Sequence, residues 1–253
     1  ILLGALFAHI SVNTLNEYFD FKSGLDLKTI KTPFSGGSGT LPLDPSLSKT
    51  VLMIGLSSLI FSTCIGIYFI FQQGLKLLPI GLGGLLIIVT YTHYLNRKPL
   101  LGLIASGTGF GVLMVVGTHV VLTNHYSWLA GLVSLIPFFL VNNLLLLNQY
   151  PDVKADRSVR RKTFPIVYGF NKSNLAYALF TASAFFLITF LALTNRIPLI
   201  SLIAILPLAL SIFSLQGAIR VSSNIGNEHR YLAANVAAAI VTPMLLGLAI
   251  SFG

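Results

Sequence analysis

Apolar stretches close to 20 residues long recur along the chain, at about 51–71, 77–94, 100–122, 128–147, 174–194, 198–216 and 232–252, with residues 1–18 as an eighth. A helix needs about 20 residues to cross the hydrocarbon layer of a bilayer. Inside that layer only helices or closed barrels satisfy their own backbone hydrogen bonds. Hydrophobic residues make up 55% of the 253 and charged residues only 9%, with a mean hydropathy of +0.84, which points away from a water-soluble domain. The expected fold class is all-α: a polytopic bundle of eight transmembrane helices forming one domain over 1–253.

The net charge of +9 is not that of a nucleic-acid binder, because no basic helix or aromatic-basic module stands outside the short loops between the apolar spans. When the loops are numbered along the chain, the odd ones carry fourteen of the sixteen basic residues, and only Lys76 and Arg196 fall in even loops. The positive-inside rule then places the odd loops in the cytoplasm and Ile1 on the opposite side. No basic segment with a cleavage site precedes Ile1, so a cleaved signal peptide is not expected. A single cysteine, Cys64, excludes an intramolecular disulfide and any cysteine-based metal cluster.

All seven carboxylates, Glu17, Asp20, Asp26, Asp44, Asp152, Asp156 and Glu228, fall on or near that same face. Two of its loops are long, about 19–50 and 148–173, and long ordered loops are where function concentrates. The first continues an apolar helix through Asn16, Glu17, Asp20, Lys22, Gly24 and Asp26; the second continues another through Asn148, Pro151, Asp152, Lys154, Asp156 and Arg157. Asn16 and Asp20, and likewise Asn148, Asp152 and Asp156, stand four residues apart, so on a helix each set presents its oxygens to one side. Pro151 can kink its helix without destroying the shared face. Magnesium takes oxygen ligands, typically one or two carboxylates completed by phosphate oxygens and water. A diphosphate among four carboxylates needs such bridging cations, and Lys22, Lys28, Lys154, Arg157, Arg160, Arg161 and Lys162 are at hand for the remaining phosphate charge.

At these residues the chain resembles the UbiA superfamily of intramembrane prenyltransferases, whose signatures are an Asn-Asp-x-x-Asp element and an Asp-x-x-x-Asp element. The stretch from Asn16 to Asp26, the stretch from Asn142-Asn143 to Asp156 with Lys162-Thr163 following, and the segment Thr32 to Thr40 are most similar to the branch that prenylates 1,4-dihydroxy-2-naphthoate for menaquinone. Three departures stand out. Glu17 occupies a place where Asp is usual, Gly24 replaces the third acid with Asp26 two residues later, and nine helices are expected where eight are visible, as if the opening helix were missing.

The resemblance implies a helical bundle around a central cavity open to lipid, capped by the two long loops. It implies Mg2+ held by Asn16, Asp20, Asp152 and Asp156, with Asp26 and Asn148 as further ligands. Asp20, Asp152 and Asp156 would be the catalytic acids. Lys22, Arg157 and Lys162 would contact phosphate, and Tyr91-Thr92 would lie near the diphosphate. The implied partners are a polyprenyl diphosphate, an aromatic acceptor and the lipid bilayer. The implied mechanism is ionisation: metal and basic residues stabilise the departing diphosphate, and the electron-rich acceptor ring attacks the allylic cation. Faces of Tyr91, Tyr94, Phe110, Phe138 or Phe139 are candidates to flank that cation, although most aromatics in such a chain serve packing.

Other features are weaker. Ser35 to Gly39 is not a Walker loop, lacking the following Lys-Ser/Thr, and reads either as a lid or as a flexible linker. His9, His93, His119, His125 and His229 lack metal-ligand spacing. Gly81, Gly83, Gly84, Gly102, Gly107, Gly109 and Gly111 offer small surfaces for close helix packing. A transporter is the rival class, but acids are missing from the centres of the spans. Haem O synthase and ether-lipid prenyltransferases are alternatives within the enzyme class.

Overall fold

The computed structural model describes residues 1–91 and 94–253, and among these the ordered elements are helical, with no strand. The first helix, α1 (Leu2–Lys22), runs into a loop that holds one short helix, α2 (Thr40–Leu43). Then follow α3 (Ser48–Gln73), α4 (Leu78–Tyr91), α5 (Pro99–Gly107), a π-helical turn (Thr108–Leu113) and α6 (Met114–Thr123). The chain ends with α7 (Trp128–Ser158), α8 (Phe164–Leu193), α9 (Leu208–Val221) and α10 (His229–Phe252).

Among the described residues six helical segments are long and apolar enough to cross a bilayer: Pro45–Gln73, Pro99–Thr123, Trp128–Ser158, Phe164–Leu193, Leu199–Asn227 and His229–Phe252. The protein is thus a multi-pass helical membrane protein, but the expected count of eight spans needs correction. The stretch at 77–94 folds as the shorter apolar helix Leu75–Thr90. Residues 1–18 lie in α1, which is long enough but carries His9, Asn13, Asn16 and Glu17, so its apolar surface is interrupted.

Helices in lipid gain little from hydrophobic burial against one another and associate through small residues and hydrogen bonds instead. Both devices appear. α1 lies along α3, where a Cβ on Gly55 would come within 2.8 Å of Thr14 Oγ1 and 2.9 Å of Leu15, and Phe7 stacks on Phe61 at 5.2 Å. Against α7, a Cβ on Gly107 would meet Asn142 Oδ1 at 2.3 Å, and one on Gly111 would meet the Phe138 backbone at 2.5 Å. The Gly107 N–H donates to Asn142 Oδ1 at 2.8 Å, just before the π-helical turn begins. Of the glycines expected to pack helices, Gly107 and Gly111 do so closely, and Gly102 packs on the Leu95–Arg97 turn before its own helix. Gly83 makes only an ordinary contact, Gly109 a marginal one, and Gly81 and Gly84 face open space.

A polar knot joins α7, α8 and α10. Asn143 Nδ2 donates to the Tyr177 carbonyl at 3.1 Å and to Thr181 Oγ1 at 2.9 Å. Tyr177 Oη donates to Asn235 Oδ1 at 2.8 Å, and Asn235 Nδ2 returns to the Asn143 carbonyl at 3.2 Å. α7 thereby becomes the central helix, running unbroken through Pro137 and Pro151 to carry the second acidic motif out of the bundle.

Candidate active site

α1 and α7 end in the same way. In each a residue in the left-handed conformation follows the last turn, Gly24 (φ +75°) after α1 and Arg160 (φ +60°) after α7. The Leu25 N–H then reaches back to the Asp20 carbonyl at 3.0 Å, and the Arg161 N–H to the Asp156 carbonyl at 2.9 Å. The Gly24 N–H bonds Phe21 O at 3.0 Å, and the Arg160 N–H bonds Arg157 O at 3.2 Å, completing a Schellman motif at each end. Gly24, which displaces the expected third acid, is therefore explained by the turn: only glycine adopts this conformation without strain.

These two ends meet. Asp20 and Asp156 are both buried, and the guanidinium of Arg161 bridges them, pairing through Nη2 with Asp20 Oδ1 and through Nη1 with Asp156 Oδ1 at 3.4 Å. Asn16 Nδ2 donates to the other Asp20 oxygen at 3.0 Å. Asp152 lies within electrostatic range of Asp156, Asp20, Asp26 and Arg161. Its Oδ1 and that of Asn148, one turn before it, are buried and have no hydrogen-bond partner among the described residues. Asp26 is half-buried in the loop after α1. Burial pushes its carboxyl up to about 7, helped by the charges of Asp20 and Glu17 and opposed by Arg161.

The other expected residues divide. Tyr91 accepts a long hydrogen bond from Ser106 at 3.4 Å and lies within electrostatic range of Arg161, Asp20 and Asp156, so the end of α4 belongs to this site. Thr92 lies outside the described residues. Lys22, Arg157 and Lys162 are exposed; Lys22 sits over the Tyr18 ring at 5.7 Å, and Arg157 lines a surface pocket of about 300 Å3 with Val153, Lys154 and Ser158. Arg161, one of seven equivalent-looking bases in the sequence, is the one that reaches both motifs.

The glycine-rich segment folds back onto the first motif. Ser38 Oγ donates to Glu17, and the Lys31 ammonium donates to the Ser38 carbonyl. A Cβ on Gly37 would lie 3.6 Å from Asp26 Oδ1. Thr32 and Pro151 both pack on Gly226, where a Cβ would meet them at 3.2 and 3.1 Å, so the loop between α9 and α10 closes the same end of the bundle.

Among the described residues no three His, Cys, Asp or Glu side chains stand close enough to enclose a metal by themselves. The donor set nevertheless fits magnesium, which completes its shell with phosphate oxygens and water: Asn148 and Asp152 offer two buried oxygens with no other partner. The local field favours a cation as well. The acids sit at the C-terminal, partially negative ends of α1 and α7, where a positive charge is stabilised.

The profile of the UbiA prenyltransferase family matches residues 1–249. The chain belongs to that family. It is 29% identical over 172 residues to the 1,4-dihydroxy-2-naphthoate octaprenyltransferase of Bacillus subtilis (strain 168), a match that takes in 66% of this chain and 53% of that protein. No solved structure matches the chain. The acidic ends of α1 and α7, the stretches whose sequence resembles the family's signatures, are brought together at one end of the bundle.

Proposed function

We propose that this UbiA-family protein transfers a polyprenyl chain from an allylic diphosphate to an aromatic acceptor, 1,4-dihydroxy-2-naphthoate or a related quinone precursor. The observation that carries the reading is the meeting of the Asn16–Asp20 and Asn148–Asp152–Asp156 sets, far apart in sequence, around Arg161. The acceptor assignment draws on the Bacillus subtilis relative and on the resemblance of the first motif.

Asp20, Asp152 and Asp156, with Asn16, Asn148 and Asp26, would hold Mg2+, which when bound offsets the charge of the diphosphate. The chain's own residues do the rest. Arg157, Lys162 and Lys22 are exposed at the rim and free to take phosphate oxygens. The C–O bond to diphosphate breaks, the allylic cation is shielded from water by the apolar bundle, and a ring carbon of the acceptor forms the new C–C bond and then gives up its proton to the released diphosphate. Of the aromatics expected to flank that cation, Tyr91 stands near Arg161, Asp20 and Asp156, whereas Phe138 and Phe139 lie more than three turns before Asp152 along α7.

The site faces the cytoplasm in this reading. The junctions after α1, α4, α7 and α9 all gather at the site's end, and they carry fourteen of the sixteen basic residues. At the other end Lys76 donates to Asn124 O at 3.1 Å and Tyr126 donates to Lys76 O at 2.6 Å, tying together two short connections.

The test is turnover of a labelled polyprenyl diphosphate with 1,4-dihydroxy-2-naphthoate in membranes containing the full-length protein, with Mg2+ and then with EDTA. Mg2+-dependent prenylated product is the expected result. Diphosphate binding without product would redirect the acceptor, and the absence of both would overturn the reading.

A further inference from the structure

Arg161 stands where the proposed reaction needs a different cation. Its guanidinium bridges Asp20 and Asp156, with the side chains of the three only 13%, 8% and 5% exposed. Both oxygens of Asp20 are engaged, one by Arg161 and the other by Asn16. The bridge is also braced from the backbone, because the left-handed Arg160 turns the Arg161 N–H back onto the Asp156 carbonyl. Lys22, Arg157 and Lys162, by contrast, are exposed and can meet phosphate without breaking an internal pair.

A carboxylate oxygen bonded to a guanidinium cannot at the same time take a metal along that direction. We infer that Arg161 is a built-in counter-cation: it holds the two acidic motifs together before the metal-diphosphate arrives and competes with the metal for Asp20 and Asp156. Asn148 and Asp152, whose buried oxygens have no partner among the described residues, are where a metal enters first. Displaced from its acids, the guanidinium stands beside the incoming phosphates, so its charge stays in the site while its partners change. The inference rests on the metal-diphosphate reading above.

The experiment is a Mn2+ titration of the full chain in nanodiscs, following the free-Mn2+ signal with and without inorganic pyrophosphate, for wild type, Arg161→Gln, Arg161→Lys and Arg160→Gln. Without pyrophosphate, Arg161→Gln should lower the Mn2+ half-saturation concentration about tenfold, the worth of one charge-assisted contact. Arg161→Lys, which cannot fork across both acids, should shift it less in the same direction. Arg160→Gln removes the same charge from an exposed neighbour and should change it by no more than about twofold, as expected for a solvent-screened charge. In EDTA, Arg161→Gln should melt below wild type, and saturating Mn2+ with pyrophosphate should erase that deficit. A half-saturation that is unchanged, raised or unmeasurable in Arg161→Gln would overturn the inference; if that variant does not fold, the same outcomes in Arg161→Lys decide. Wild type failing to bind Mn2+ even with pyrophosphate would overturn the metal-diphosphate reading as well, whereas wild-type binding with unshifted variants would overturn only the role of Arg161.

Discussion

Asp20 and Arg161, 141 residues apart in sequence, form the ion pair that joins the end of α1 to the end of α7. Asp152 belongs to the same cluster, but its Oδ1 has no partner among the described residues. The two acids should therefore respond differently to the same change. Asp20→Asn and Asp152→Asn should each lower turnover by about 10²–10³, the usual cost of losing one preorganised electrostatic contact. Asp20→Asn should also cost about 1–3 kcal/mol of stability through its charged hydrogen bond. Asp152→Asn breaks no such bond and should leave the melting temperature unchanged or raised. Steady-state kinetics and thermal unfolding in nanodiscs test both, and unchanged turnover in the two variants would sink the site assignment.

Asp26 gives the site a pH dependence. A carboxyl held at about 7 in the fold, against 3.8 for the free group, binds its proton more tightly folded than unfolded. Its contribution to stability is therefore complete below about pH 4 and is lost as pH rises through 7. The stability gap between Asp26→Asn and wild type should widen over that window and level off above it, with the variant the more stable. A cation must displace this proton to use the oxygen, so Mn2+ affinity in wild type should rise with pH up to about 7, and the inflection should vanish in Asp26→Asn. Melting curves and Mn2+ titrations from pH 5 to 8.5 read both effects.

Hydropathy made the bundle legible because a bilayer enforces span length, and the four-residue steps from Asn16 to Asp20 and from Asn148 to Asp156 made the acidic faces legible because a helix repeats near that interval. Two things were hidden. His9 and Asn13 interrupt α1 on its exposed surface, and the stretch at 77–94 yields only the short α4, neither of which the mean hydropathy of a window records. Arg161 is one of several bases in its loop, and what singles it out is a turn made by Arg160 in a conformation usually marked by glycine. After α1 the same turn is announced by Gly24; after α7 the sequence carries no such mark.

That contrast gives a paired prediction. Gly24→Ala meets no atom within 4 Å, so its cost is backbone strain alone, about 1 kcal/mol. Arg160→Gly relieves the same strain after α7 and should stabilise the fold by up to about 1 kcal/mol, less the entropy glycine adds to the unfolded chain. Opposite shifts in melting temperature are expected. Shifts of the same sign would mean that the two turns are not equivalent.

The knot between α7, α8 and α10 should set how firmly α7 presents Asp152 and Asp156. Asn235→Leu removes the acceptor of the Tyr177 hydroxyl and the donor to the Asn143 carbonyl. Interhelical hydrogen bonds in membranes average about 0.6 kcal/mol and reach about 1.7, so the loss of two should cost about 1–3 kcal/mol. The acids lie more than two turns beyond Asn143 along α7, and the helix is unbroken between them. Loosening the knot should therefore lower stability more than it changes Mn2+ affinity. Unfolding in detergent and the Mn2+ titration, run on the same variant, separate the two: an equal loss in both would mean that the knot shapes the metal site directly.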